Sequence, residues 1–188
     1  MAALGPTLET PRLILRPPIQ DDFDGFAAMA EDAETMRFIG GAAPRHGAWR
    51  ALAQIAGAWS LLGYSMFSVI EKETGRWIGR LGPWYPGGET GGWPGREVGW
   101  GLVRSAHGKG YALEGATAAI DWVFDALGWD EVIHCIHKEN LASVRLAERL
   151  GSTRLREDVP LPPPFEEVVD IYGQSRDAWR ARRASARL

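Results

Sequence analysis

Apolar positions change period several times along this chain, and the changes mark out its elements. Arg12 to Arg16 mixes charged and aliphatic residues as a first strand does, and Pro17-Pro18 ends it. Helical spacing follows in Phe23, Phe26, Ala27 and Ala30, with Asp21 and Asp22 suited to the positive end of that helix. An Ala- and Trp-rich helix is expected from about Pro44 to Leu62, stopped by Gly63. Strands read at Tyr64–Glu71 and Arg76–Tyr85, joined by a turn at Glu73-Thr-Gly75. Pro86 to Gly95 holds five glycines and two prolines and is a loop, flanked or carried by Trp84, Tyr85 and Trp93.

The second half follows the same logic. Glu97 to Val103 reads as a strand with Glu97, Gly99 and Gly101 on one face and Val98, Trp100 and Leu102 on the other. From Tyr111, the stripe Ala112, Ala116, Ala119, Ile120, Val123, Phe124, Leu127 opposes Glu114, Asp121 and Asp125, and Gly128 ends that helix. Asp130–His137 is the next strand, Asn140 suits the N-cap of a helix through Leu150, and Gly151 closes it. Pro160 to Pro164 is a stiff connector before a last strand at Val168–Tyr172.

Composition narrows the field. At 188 residues, one domain over 1–188 with a real core is the default. The net charge of −3 gives no bulk drive toward nucleic acid, although the tail from about 176 to 188 carries Arg176, Arg180, Arg182, Arg183 and Arg187, read as a solvated helix end with RNA or ribosome contact as the alternative. The uncharged run Ala51–Ile70 has the length of a membrane span, but its period switches from helix-like to strand-like at Tyr64, so no membrane helix is expected. Cys135 is the only cysteine, which excludes an intramolecular disulfide, and no leader pattern opens the chain; a reducing, cytoplasmic setting is the expectation.

The chemistry starts at His107-Gly-Lys-Gly-Tyr-Ala112, set between the Glu97 strand and the Tyr111 helix. Glycines at 108 and 110 let successive main-chain N–H groups converge on an anion at the helix's positive end. A nucleotide-triphosphatase loop is excluded, because Val103 stands where its first glycine belongs and Gly110 follows Lys109. A dinucleotide fingerprint is excluded too, since Leu113 replaces its third glycine.

Residues 107 to 112 resemble the central motif of the GNAT acetyltransferases, a Gln or Arg followed by x-x-Gly-x-Gly or -Ala, with His107 in the first position. A second family motif, N-x-x-S before a helix ending in Leu-Gly, is present as Asn140-Leu-Ala-Ser143 and Leu150-Gly151. Thr10-Pro-Arg-Leu-Ile-Leu-Arg16 and Trp93-Pro-Gly-Arg-Glu-Val-Gly-Trp100 are similar to the branch containing the ribosomal-protein N-terminal acetyltransferases. The resemblance implies a single α/β (α+β) domain with a mixed, mostly antiparallel sheet of six to seven strands flanked by helices. It implies acetyl-CoA as cosubstrate, lying between the strands that end near Val103 and His137. Leu102, Val103, Arg104, His107, Gly108, Lys109, Gly110, Tyr111, Ala112, Asn140 and Ser143 are the expected cofactor contacts. The close approach that Gly99 and Gly101 permit suits the pantetheine arm, a β-bulge or a close sheet–helix contact.

Acetyl transfer to an amine needs a neutral amine and a stabilised departing thiolate. Glu97 is the candidate base, the alternative being a strand-end carboxylate paired with Arg96 or Arg104. The tyrosine that many relatives carry seven residues after the motif asparagine is Ala147 here, so Ser143 is the candidate acid, with Tyr111 and Tyr172 behind it. Trp84, Tyr85 and Trp93 are expected at a substrate mouth, or as simple packing of the loop. The acceptor would be a protein N-terminus or a small-molecule amine, and a homodimer is compatible. His134, Cys135 and His137 lack the ligand number and spacing of a metal site, and Cys135 sits in an apolar run where a thiol stays protonated, so neither a metal nor a cysteine nucleophile is expected. A catalytically silent acyl-CoA sensor or interaction module is the alternative function.

Overall fold

In the computed structural model, residues 4–86 and 92–185 are described. The elements are β1 (Leu8–Glu9), β2 (Leu13–Arg16), α1 (Phe23–Glu31), α2 (Ala33–Met36), α3 (Arg45–Leu62), β3 (Phe67–Glu71), β4 (Trp77–Trp84), β5 (Glu97–Leu102), α4 (Tyr111–Asp125), β6 (Glu131–Ile136), α5 (Leu141–Leu150), β7 (Thr153–Pro160), β8 (Val168–Ser175) and α6 (Arg176–Ser185). The strands form one mixed sheet in the order β1-β2-β3-β4-β5-β6-β8-β7. Among the described residues, eight strands replace the six or seven expected. The additions include β1, only two residues long, and β7, whose positions are almost all solvent-facing and so carry no hydrophobic alternation. Pro160, expected to begin a connector, is the last residue of β7.

The pairings β1–β2, β2–β3 and β3–β4 are antiparallel, as are β6–β8 and β7–β8, while β5 and β6 run parallel with Glu97 opposite Ile133. Contacts divide the chain into two compact units, 1–83 with 99–119, and 84–98 with 120–188. Among the described residues no helix is long and apolar enough to cross a membrane.

In the first unit, Leu13, Leu15, Phe67, Val69 and Leu81 are buried strand residues. Helix α3 buries Ala48, Leu52, Ile55 and Trp59, a stripe at helical spacing, and Trp59 lies 5.0 Å from the Phe67 ring while its indole N–H donates to the Met66 carbonyl. Helix α4 comes close to the sheet at Gly115, where a Cβ would meet Leu81 Cδ2 at 2.6 Å. Asp22, expected to favour the start of α1, makes no side-chain cap on that helix; it is buried, accepts the Ile19 main-chain N–H at 2.9 Å, and takes both guanidinium nitrogens of Arg16 at 2.8 Å, with Ser68 Oγ at 2.7 Å. A buried carboxylate is tolerable only when so fully bonded.

In the second unit, Ile133, Val169 and Ile171 form a cluster with Cys135, Val159 and Leu161. Asn140 caps α5 by accepting the Ser143 N–H, and Gly151 at φ 93° ends it in the left-handed conformation that glycine tolerates best. The arginine tail is the helix α6, anchored by Trp179, which is buried and donates to Asp121. Arg176, Arg180 and Arg183 form surface ion pairs with Asp130, Asp125 and Asp121, Arg182 donates to the Arg149 carbonyl, and Arg187 lies outside the described residues.

Candidate active site

The glycine turn is built in the first unit. A single 3-10 turn at Arg104–Ala106 brings the chain off β5, and Gly108 and Gly110 follow at φ 73° and 81°. A Cβ at Gly108 would meet nothing within 4 Å, so the turn has an open side. The first bond of α4 runs from Glu114 N–H to the Gly110 carbonyl. The N–H groups of the preceding turn therefore have no partner within the helix and sit at its positive end.

His107 has a structural task here. Its Nε2 lies 2.8 Å from the Leu102 carbonyl oxygen, and because a carbonyl can only accept, that nitrogen carries the proton. The ring ties the turn back to the end of β5, which keeps the loop's shape with His in place of Gln or Arg. Lys109 is exposed, with Nζ 6.0 Å from the centre of the Tyr111 ring. Arg104 is committed elsewhere, its Nε 2.9 Å from Asp32. Tyr111 is buried and donates to Glu71 at 2.6 Å, which raises the pKa of its hydroxyl; Leu102 is buried, and the Val103 N–H goes to the Ile78 carbonyl.

On the glycine face of β5, a Cβ at Gly101 would come within 2.9 Å of Met29 and 3.0 Å of Ile39. Gly101 is thus closely approached by Met29 of α1 and by Ile39 of the turn after α2, the kind of close protein contact expected as the alternative to a pantetheine arm.

The candidate base lies in the second unit. Glu97 is 6% exposed; Trp93 donates its indole N–H to Oε2 at 2.8 Å, and the Cys135 main-chain N–H donates to Oε1 at 3.3 Å. Both carboxylate oxygens are therefore oriented. Trp93, expected at a substrate mouth, is itself buried, with Phe165 edge-on at 5.1 Å. Trp84 and Tyr85 are half-buried, and residues 87–91 of their loop lie outside the described residues. Burial, followed by the neighbouring Glu97 carboxylate, pushes the Cys135 thiol pKa strongly up, so it stays protonated.

Asn140 and Ser143 come together through the helix cap, with 3.2 Å from Ser143 N to Asn140 Oδ1. Ala147, in the position of the relatives' tyrosine, is completely buried. Tyr172 is also buried, on β8 opposite His134. Among the described residues no three His, Cys, Asp or Glu side chains group as metal ligands.

One feature was not anticipated from the sequence. His134 is buried, with Nδ1 2.7 Å from the Val98 carbonyl and Nε2 3.0 Å from Ser152 Oγ. Gln174 donates in turn to Ser152 Oγ at 3.0 Å and to the Leu150 carbonyl at 3.2 Å. The Val98 carbonyl fixes the proton on Nδ1, so Nε2 accepts from Ser152. Desolvation lowers the imidazole's pKa to about 4. The chain of bonds holds β5 immediately after Glu97. The sequence signal for it, a His in an apolar strand, is too weak to specify partners 18 and 36 residues away.

Comparison with known proteins identifies the family and the fold. The family model of the acetyltransferase (GNAT) domain matches residues 12–153. An uncharacterized N-acetyltransferase, p20 of Bacillus licheniformis, is 31% identical over 148 residues, 77% of this chain and 81% of that protein. The uncharacterized protein YkkB of Bacillus subtilis is 32% identical over 91 residues, and that match spans about half of its length, 51%. Among solved structures, an acetyltransferase of Agrobacterium tumefaciens superposes with a TM-score of 0.77 at 29% identity, covering 91% of this chain and 95% of that one. A spermidine N-acetyltransferase of Vibrio cholerae in complex with CoA and spermine shares the fold at 15% identity, with a TM-score of 0.69 over 91% of this chain and 99% of that one.

Proposed function

Since this chain belongs to the GNAT family of acetyltransferases, we propose that it works as one N-acetyltransferase domain over 1–188, moving the acetyl group of acetyl-CoA onto a primary amine. The observation that supports the reading is the 107–112 turn, whose open Gly108 side and helix-end N–H groups have the chemistry that binds a diphosphate. Lys109 adds a cation beside it; Arg104, held by Asp32, contributes less than its position in the sequence suggests.

The chemistry is a direct displacement. The amine nitrogen forms a bond to the thioester carbon, the carbon–sulfur bond breaks, and the sulfur leaves as thiolate and takes up a proton. Glu97 accepts the proton that the attacking amine loses, directly or through one water, and its two donors orient the carboxylate. Ser143 is the group assigned to the departing sulfur. Asn140 orders the start of α5 on which Ser143 stands.

Trp84 and Tyr85 give the acceptor side an aromatic character, which favours monoamines or peptide N-termini over polycations. Thiol release from acetyl-CoA with a panel of amines tests this: a monoamine or N-terminal peptide is expected to release thiol faster than spermine. A faster spermine reaction overturns the acceptor assignment. The second reading, a silent acyl-CoA sensor, is favoured by the buried methyl of Ala147, which leaves no tyrosine hydroxyl there. CoA binding without thiol release across the whole panel would establish that alternative.

A further inference from the structure

The amino-terminal segment Thr10-Pro-Arg12 is distant in sequence from the glycine turn, yet it meets the turn from behind. The Arg12 guanidinium donates from Nε to Glu114 Oε2 at 2.6 Å and from a terminal nitrogen to the Lys109 carbonyl at 2.9 Å. The Arg12 main-chain N–H and the Thr10 hydroxyl both donate to Glu114 Oε1, at 2.9 and 2.6 Å. The guanidinium carbon also lies 4.5 Å from the centre of the Tyr111 ring, over its face. One arginine therefore grips the carbonyl inside the turn, the first-turn carboxylate of α4, and the ring of that helix's first residue.

The consequence follows from peptide geometry. Across a trans peptide the C=O of Lys109 and the N–H of Gly110 point in opposite directions. Drawing the Lys109 carbonyl toward Arg12 turns the Gly110 N–H away from Arg12, toward the turn's other side. We infer that Arg12 is a positioning residue for the coenzyme's diphosphate, holding the 109–110 peptide so that its N–H faces the anion. The inference rests on the acetyl-CoA reading above and adds to it the part of the coenzyme that Arg12 governs. Arg12 does not touch the acyl group, so its effect belongs to the diphosphate end alone.

The test compares ligands with and without that end. Calorimetry measures CoA binding to wild type, Arg12→Met and Arg12→Lys, and steady-state kinetics compare acetyl-CoA with S-acetylpantetheine, which lacks the diphosphate. Arg12→Met keeps an apolar stem and should weaken CoA binding by on the order of tenfold, because the charge-assisted hydrogen bond that holds the Lys109 carbonyl is lost. Its kcat/KM for S-acetylpantetheine should equal that of wild type. Arg12→Lys cannot reach Glu114 and the Lys109 carbonyl together and should recover only part of the CoA affinity. Equal losses with both thioesters would show a general structural role and overturn the inference, as would unchanged CoA affinity in both variants. Should Arg12→Met fail to fold, the same two ligands compared on Arg12→Lys decide the question. Absence of CoA binding by wild type sinks the functional reading itself, a result distinct from any pattern among the variants.

Discussion

Glu97 carries the chemistry proposed here, and its surroundings set what its replacement should do. Alternation along β5 was enough to place it on the glycine face. The sequence could not assign its partners, because both nearby arginines were equally plausible and Arg104 is drawn to Asp32, far earlier in the chain. In Glu97→Gln the amide oxygen can still accept the Trp93 indole N–H, but the amide nitrogen then faces the donor N–H of Cys135. Turnover should fall by about 10²- to 10⁴-fold, the usual contribution of a positioned general base. CoA affinity by calorimetry should stay at the wild-type value, since the glycine turn is untouched. Wild-type turnover in this variant would remove Glu97 from the mechanism.

Elements with their own end signals were the legible ones. Gly63 and Gly151 end α3 and α5 with φ of 75° and 93°, and Asn140 caps α5, all as the residue types imply. Strand β7 was illegible because a solvent-facing edge strand shows no apolar alternation, and only pairing with β8 defines it. Glycines inside elements give a contrast of sign that composition alone does not contain. Gly79 in β4 has φ 151°, and a Cβ there would lie 2.4 Å from the Gly101 main-chain oxygen, which cannot move aside cheaply. Gly57 in α3 has open space, where added helix propensity acts alone. Gly79→Ala should lose at least about 2 kcal/mol in denaturant unfolding, while Gly57→Ala should gain roughly 0.5–1 kcal/mol. A like sign for both would mean that the close approach at Gly79 is relieved elsewhere. For α6, Trp179→Ala removes a buried anchor and its bond to Asp121, and should cost about 3–5 kcal/mol by the same measurement.

For the molecule as a whole, the periods in the sequence located most strands and helices, because each period is a local property of its own segment, while the mixed, helix-flanked sheet came from the resemblance to the GNAT acetyltransferases. The division into two compact units and the pairing of tail arginines depend on contacts between segments far apart, which no local pattern encodes. The buried His134 is of that second kind, and it makes a prediction about global stability. Its pKa is lowered by burial to about 4 in the folded protein, against 6.5 for a free histidine. Between those values the unfolded chain binds a proton that the folded one does not, so stability rises with pH across the interval. The contribution is full above pH 6.5, shrinks as pH falls, and is gone near pH 4, a change on the order of 3 kcal/mol. His134→Asn can still offer a donor to the Val98 carbonyl but has no such proton to take up. Urea unfolding from pH 7.5 to pH 4.5 should therefore show wild-type stability falling more steeply than that of the variant, the two curves converging toward acid. Parallel curves would mean that the imidazole is already charged in the fold, and the assignment of Nε2 as acceptor from Ser152 would fail with it.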